Sequence, residues 1–226
     1  MVIEQAILRF RTDPPLAGHG NSLRGYIANQ LPQYDILHNH KKDGSLLYLY
    51  PRVQYRVLEN EGYIVGIEEG VPLVQLLKHE IENITLKGID YKIIHKQLTS
   101  GDVQFGVNTL YINYKFIKPW LALNEQNYQE YLKSGIKDKK EKILNTILKG
   151  NIFSLSKSLG YVVTEQIKIE SLNLKETDCF LKGTPMLGFL GTFSVNFEIP
   201  DYLGIGKSVS RGFGTVVKFS AGEKRK

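Results

Sequence analysis

The chain has 226 residues, 42% of them hydrophobic, and a formal net charge of +6. That length suits one large domain or two small ones, and no run approaches the ~18 unbroken apolar residues of a membrane span. A single cysteine, Cys179, excludes an internal disulfide and a cysteine zinc site, and the positive excess favours an anionic partner, of which nucleic acid is the commonest large one.

Met1–Phe10 mixes acidic, polar and apolar residues, unlike a secretory or transit leader, so a cytoplasmic protein is expected. Gln5–Arg11 alternates apolar and polar residues and predicts a strand. Pro14-Pro15 and Gly18/Gly20 end it. Asn21 or Ser22 can cap a helix running to about Leu31, with Leu23, Tyr26, Ile27 and Leu31 on one face. Leu46–Leu58, dense in Tyr, Val and Leu, reads as a long strand. Asn60-Glu61-Gly62 reads as a tight turn, with Tyr63–Glu68 as the partner strand. Gly70 ends that strand, and Pro72 suits the first turn of a short helix through Glu80. Ile84–Gln97 is strand-like again. The order βαββαβ is the ferredoxin-like motif, an antiparallel sheet with two helices on one face. RNA-recognition modules use this arrangement.

Val103–Phe116 predicts another strand, and Lys118-Pro119-Trp120 a connection between halves. Helices are expected at Asn124–Lys133 and at Lys139–Leu148, the latter with Asp138 and Glu141 as a capping box. A further turn or two covers Ser154–Leu159. Strands return at Tyr161–Leu172, Thr177–Leu181, Gly188–Ile199 and Thr215–Phe219. The expected class is α+β with antiparallel sheets, divided into domains 1–117 and 118–226. The second half reads as a degenerate copy of the first, without a repeat visible in the sequence.

Leu203–Gly214 is the most informative stretch. Two Gly-x-Gly pairs, Gly204/Gly206 and Gly212/Gly214, bracket five residues that include Lys207, Ser208, Ser210 and Arg211. Main-chain N–H groups in such a loop can converge on an anion, and the cations and hydroxyls beside them suit a phosphate. The stretch is not a nucleotide-triphosphate loop, because no glycine stands five positions before Gly206. Nor does enough chain follow Gly214 for a dinucleotide fold. A glycine-rich hairpin turn beside a basic tail is the plain alternative.

Asp35-Ile36-Leu37-His38-Asn39-His40 holds a His-x-His pair. Residues two apart project to one side of an extended chain. An unperturbed imidazole titrates near ~6.5, so a neutral ring can accept a proton while a cationic ring gives one. Cleavage of RNA by its own 2′-hydroxyl needs such a pair, with donors nearby to steady the phosphorane. Lys41, Lys42, Tyr48, Tyr50 and Arg52 are close in sequence. The same two histidines could begin a zinc site with His19 or Asp35 as third ligand, or be loop residues with no task. The start of the helix at Asn21–Gly25 offers a further anion site, where Arg24 could touch a phosphate.

Together these segments resemble the sixth CRISPR-associated protein family, the endoribonucleases that cut precursor CRISPR RNA within its repeats. The resemblance lies in Gly204-Ile205-Gly206 and Gly212-Phe213-Gly214 at the end. At the front it lies in His19–Tyr26, Asp35–His40 and Tyr48–Tyr55; residues 98–160 add little to it. It implies tandem ferredoxin-like domains and metal-independent, cofactor-free cleavage that leaves a 2′,3′-cyclic phosphate and a 5′-hydroxyl. It implies His38, His40 and Tyr48 as the catalytic set, with Tyr50 competing for the tyrosine role. The four glycines become architectural. Arg24, Lys41, Arg52, Lys207 and Arg211 become contacts to the repeat RNA. A CRISPR effector complex and a homodimer stand as further partners, with no membrane. The rival reading is a non-catalytic RNA-binding subunit of an effector complex, and a third is a metal-dependent phosphoesterase built on His-x-His.

Overall fold

The computed structural model describes residues 1–38 and 50–220, without the side chain of His38. They fall into two compact units. The first is Val2–Gln104 together with Val209–Gly212; the second is Met1, Phe105–Ser208 and the chain from Phe213 onward.

The first unit is an antiparallel sheet covered by helices. Its elements are β1 (Val2–Asp13), α1 (Gly20–Gln30), α2 (Asp35–His38), β2 (Val53–Leu58), β3 (Glu61–Ile67), α3 (Val71–Glu80), β4 (Asn83–Leu86) and β5 (Ile89–Gln104). The strand order is β2-β3-β1-β5-β4, every neighbour antiparallel. The alternation along β1 sends Ala6, Leu8 and Phe10 into the core, where Leu23 and Ile27 of α1 and Val74 and Leu77 of α3 meet them. Burial of these aliphatic faces, rather than helix propensity, is what holds such short helices.

The second unit runs β6 (Gly106–Trp120), α4 (Glu125–Lys133), α5 (Lys137–Ser158), β7 (Ile169–Leu181), β8 (Thr184–Glu198) and β9 (Val216–Lys218). Its order is β7-β8-β6-β9, again antiparallel. Counted from each unit's own first strand, this is the order of the first unit without β4. The tandem ferredoxin-like class is therefore present. The second copy is degenerate in one place: where the second helix belongs, the chain passes through the glycine-rich segment and a 3-10 turn at Val209–Arg211. Its core is aromatic. Trp120 stacks on Phe116 at 5.4 Å, Phe116 meets Phe193, and Tyr114 stacks on Phe193.

Several boundaries differ from the sequence reading. The division between units falls at Gln104/Phe105, not at 117/118, because Gly106–Trp120 is one strand paired with β8. Lys118-Pro119-Trp120 ends that strand instead of linking halves. The expected strand Ile84–Gln97 is two strands. Lys87 and Gly88 both take positive φ (52° and 79°) and close a tight hairpin between β4 and β5. Lys182 and Gly183 do the same between β7 and β8, and the expected pair Tyr161–Leu172 and Thr177–Leu181 is one strand, β7, that starts at Ile169. The helix expected at Asn21 or Ser22 begins at Gly20, with His19 as its N-cap. The two helices expected between Lys139 and Leu159 are one, α5, capped by Ile136 without a side-chain bond, so Asp138 and Glu141 form no capping box. Of the strand expected over Leu46–Leu58, residues 50–58 are described, and the strand occupies Val53–Leu58. Among the described residues, no helix is long and apolar enough to cross a membrane.

Candidate functional site

The histidine segment hangs from the end of α1. The N–H of Tyr34 donates to the carbonyl of Leu31 at 3.2 Å, and that of Leu37 to Tyr34 at 3.0 Å. Leu37 is 1% exposed in the core of the first unit, so a buried anchor pins the backbone one residue before His38. Asp35–His38 is a helical turn; the chain from His38 to His40, whose extended form would give the two rings a shared side, lies past His38 outside the described residues. His40, Lys41 and Tyr48 lie outside the described residues, as does any geometry of the catalytic set. Among the described residues, no three His, Cys, Asp or Glu side chains gather as a metal site would require.

Around β2 the structure brings together groups that sequence spacing did not. Arg56 is completely buried. Burial pulls its guanidinium down to about 10, and Tyr50 nearby opposes the shift. Its Nη2 donates to Gln54 Oε1 at 2.5 Å, and Gln54 Nε2 donates to the carbonyl of Pro51 at 3.1 Å. The run ties a buried charge to the backbone entering β2. Sequence reasoning passed over Arg56; its signal was a lone arginine inside Val-Gln-Tyr-Arg-Val-Leu. Arg52, expected as an RNA contact, has a side chain 14% exposed, and its Nε donates to Glu69 Oε1 at 2.8 Å. That cation is engaged within the first unit.

The Tyr55 hydroxyl is buried and has no hydrogen-bond partner among the described residues. Burial drives the phenol well above its usual range, and the Arg24 charge offsets part of that rise. A buried hydroxyl left without a partner costs about 1–3 kcal/mol. Tyr55→Phe is therefore expected to raise stability by about 1 kcal/mol in urea unfolding, while RNA cutting stays at the wild-type rate. A loss of stability would mean that this oxygen has a partner in the folded protein.

The glycine-rich segment is bound to its own strands. Ile205 N–H donates to the carbonyl of Gly214 at 2.9 Å, Gly214 N–H to Pro119 at 2.8 Å, and Gly212 N–H to Val209 at 3.0 Å. Gly204 bridges Thr215. Gly206 lies against the Trp120 indole, whose Nε1 donates to Asn151 Oδ1 at 3.0 Å. Lys207 is exposed, and its ammonium donates to the carbonyl of Leu123 at 3.1 Å. Lys207 belongs to the second unit, whereas Arg211 belongs to the first.

At the start of α1, Gly20 permits a close approach. A Cβ there would sit 2.2 Å from the Tyr55 carbonyl oxygen and 2.6 Å from that of Arg211. Arg211 is thus seated beside the first turn of α1, and its Nε donates to Asn21 Oδ1 at 2.7 Å. Arg24 follows Asn21 by three residues, on the same helix face.

Comparison with known proteins adds a family. The model of the Cas6b N-terminal domain matches residues 1–104, and that of the Cas6b C-terminal domain matches residues 106–219. An uncharacterised protein of Methanocaldococcus jannaschii is 46% identical over 138 residues, 61% of this chain and 93% of that protein. A crystal structure of Cas6b matches with a TM-score of 0.90 and 35% identity, over 97% of this chain and 100% of that one. A crystal structure of the CRISPR RNA processing endoribonuclease Cas6b matches with a TM-score of 0.77 and 34% identity, over the same shares. A Cas6-related protein from Pyrococcus furiosus, 11% identical with a TM-score of 0.55 over 98% of this chain and 99% of that one, shares the fold.

Proposed function

The chain belongs to the Cas6b family of CRISPR RNA-processing endoribonucleases, and on that premise we propose that it cuts precursor CRISPR RNA by metal-independent transesterification. One imidazole of the pair His38 and His40 takes the proton of a ribose 2′-hydroxyl. That oxygen bonds to the adjacent phosphorus as the bond from phosphorus to the 5′-oxygen breaks. The other imidazole gives the leaving oxygen its proton. The products are a 2′,3′-cyclic phosphate and a 5′-hydroxyl. Tyr48 orients the reacting phosphate, and Lys41, Lys207, Arg24 and Arg211 meet the RNA backbone.

The observation that carries this reading is the match of both Cas6b halves along one chain that also holds the His-x-His segment at the end of α2. Incubating the protein with repeat RNA in EDTA tests it. The expected result is full cutting, with cyclic-phosphate and 5′-hydroxyl ends at the new termini. Cutting that stops in EDTA and returns with a divalent metal would assign the histidines to a metal-dependent phosphoesterase. Tight binding with no cut RNA after long incubation would make the chain a binding subunit.

A further inference from the structure

We propose that the outward face of α5, from Lys142 to Lys157, is a track for the sugar-phosphate backbone of the bound RNA, a reading that rests on the RNA-processing function above. Helical spacing defines the face. Leu144, Leu148, Ile152 and Leu155 form the buried side of the helix. Lys142, Thr146, Lys149, Phe153 and Lys157 recur three or four residues apart on the other side. Lys149 is half-buried and the other four are exposed.

Charge on this face has one sign. From Lys142 to Ser158 the helix carries no Asp or Glu; Asp138 and Glu141 stand before that stretch. None of the ion pairs among the described residues engages Lys142, Lys149 or Lys157. Lys140 gives the contrast: it lies off this face, pairs with Glu176 at 3.2 Å and sits over the Tyr131 ring at 4.4 Å. An ordinary solvent face interleaves opposite charges three or four residues apart.

Gly150 is an independent sign. Inside an exposed helix, glycine weakens the helix relative to alanine. A packing partner within the protein would account for it, but a Cβ at Gly150 would meet nothing within 4 Å. The bare backbone is therefore open to the outside, beside Lys149 and three residues before Phe153, whose ring is 53% exposed.

These features fit one ligand. Lys142, Lys149 and Lys157 lie about 10–12 Å apart along the helix, so each can take a separate phosphate. The open turn at Gly150 admits a ribose-phosphate strand against the helix backbone. Phe153 offers a surface on which a base can stack. An acidic peptide would also use the lysines, but an aromatic ring beside a line of cations is how single nucleic-acid strands are held.

Repeat RNA carrying a 2′-deoxy residue at the cut site binds without being cleaved, and its affinity is measured by anisotropy across roughly 50–300 mM KCl. Each phosphate neutralised on a single strand contributes about −0.7 to the slope of log affinity against log salt concentration. Lys149→Gln and Lys157→Gln should each shrink the slope by about 0.7, and the double variant by about 1.4. Lys140→Gln should leave it unchanged. Phe153→Ala should weaken binding about fivefold or more. Gly150→Ala distinguishes the track from a merely solvated face. It should raise the urea midpoint by about 0.3–0.5 M, yet weaken RNA binding about fivefold or more. The same gain in stability with wild-type affinity overturns the track, as does an unchanged slope in both lysine variants; neither result touches the cutting activity.

A second arm separates this inference from the function. A uridine oligonucleotide is titrated into the protein, and the amide resonances of Gly150 and Phe153 are followed by NMR. If the wild-type protein neither binds nor cuts repeat RNA, saturable shifts that the double lysine variant lacks keep the track as a general polynucleotide site and remove only the CRISPR reading. No shift in that case ends both. Shifts given by polyglutamate but not by the oligonucleotide assign the face to an acidic protein and overturn the proposal.

Discussion

His38→Ala and His40→Ala are each expected to slow single-turnover cutting of repeat RNA by ~10²–10⁴-fold, the usual effect of losing one general acid or base. That corresponds to about 3–5 kcal/mol of lost transition-state stabilisation. RNA affinity should stay near wild type in both, because the phosphate contacts are assigned to other side chains. The double variant should fall little further than the worse single one, since the two rings act in one proton inventory. Enzyme in excess over RNA isolates the chemical step from product release. Wild-type rates in both variants would remove the pair from the reaction. A loss confined to one of them would leave a single proton carrier and break the paired scheme.

Gly206→Ala is expected to destabilise the protein by about 2–4 kcal/mol. Two separate terms add. The residue sits at φ +89°, where an alanine side chain crowds its own backbone. The new Cβ would also lie 2.7 Å from Trp120 Nε1 and 2.8 Å from Asn151 Oδ1, the two ends of a hydrogen bond between β6 and α5. Trp120 is fully buried beneath Phe116, so it has no room to yield. The midpoint of urea unfolding measures the loss. Under conditions where the variant remains folded, its RNA affinity should match wild type, as an architectural glycine requires. A variant as stable as wild type but poor at binding RNA would give the loop a direct contact role instead.

The helix–strand alternation of the first unit was open to sequence reading because its periods are clean. Leu23 and Ile27 recur at helical spacing, and β1 alternates. The breaks were harder. Lys87 and Lys182 adopt positive φ in two-residue turns, and lysine carries no turn signal of its own. Phe105 and Gly106 separate two sheets inside what reads as one strand, Val103–Phe116, because a strand pattern does not say which sheet the strand joins. The capping box at Asp138 was a sound local motif overridden by the helix starting at Lys137.

For the site, sequence named Asn21 and Arg211 but could not bring them together. Their meeting depends on a loop handed from one end of the chain to the other. Arg52 was named for its charge and proved to be paired with Glu69. Arg56 went unnamed because charged residues are seldom fully buried, and a strand is the last place to look for one.

The four residues Val209–Gly212 also settle what a partial chain would be. They lie along β2, an edge strand of the first sheet, next to the backbone of Tyr55. A polypeptide stopped at Gln104 would keep its oily interior yet bare a strand flank that the whole chain keeps wrapped. Bare flanks of that kind recruit other strands. The N-terminal half is thus a recognisable segment by descent but an unfinished object by its physics, completed only once Val209–Gly212 has left the ribosome.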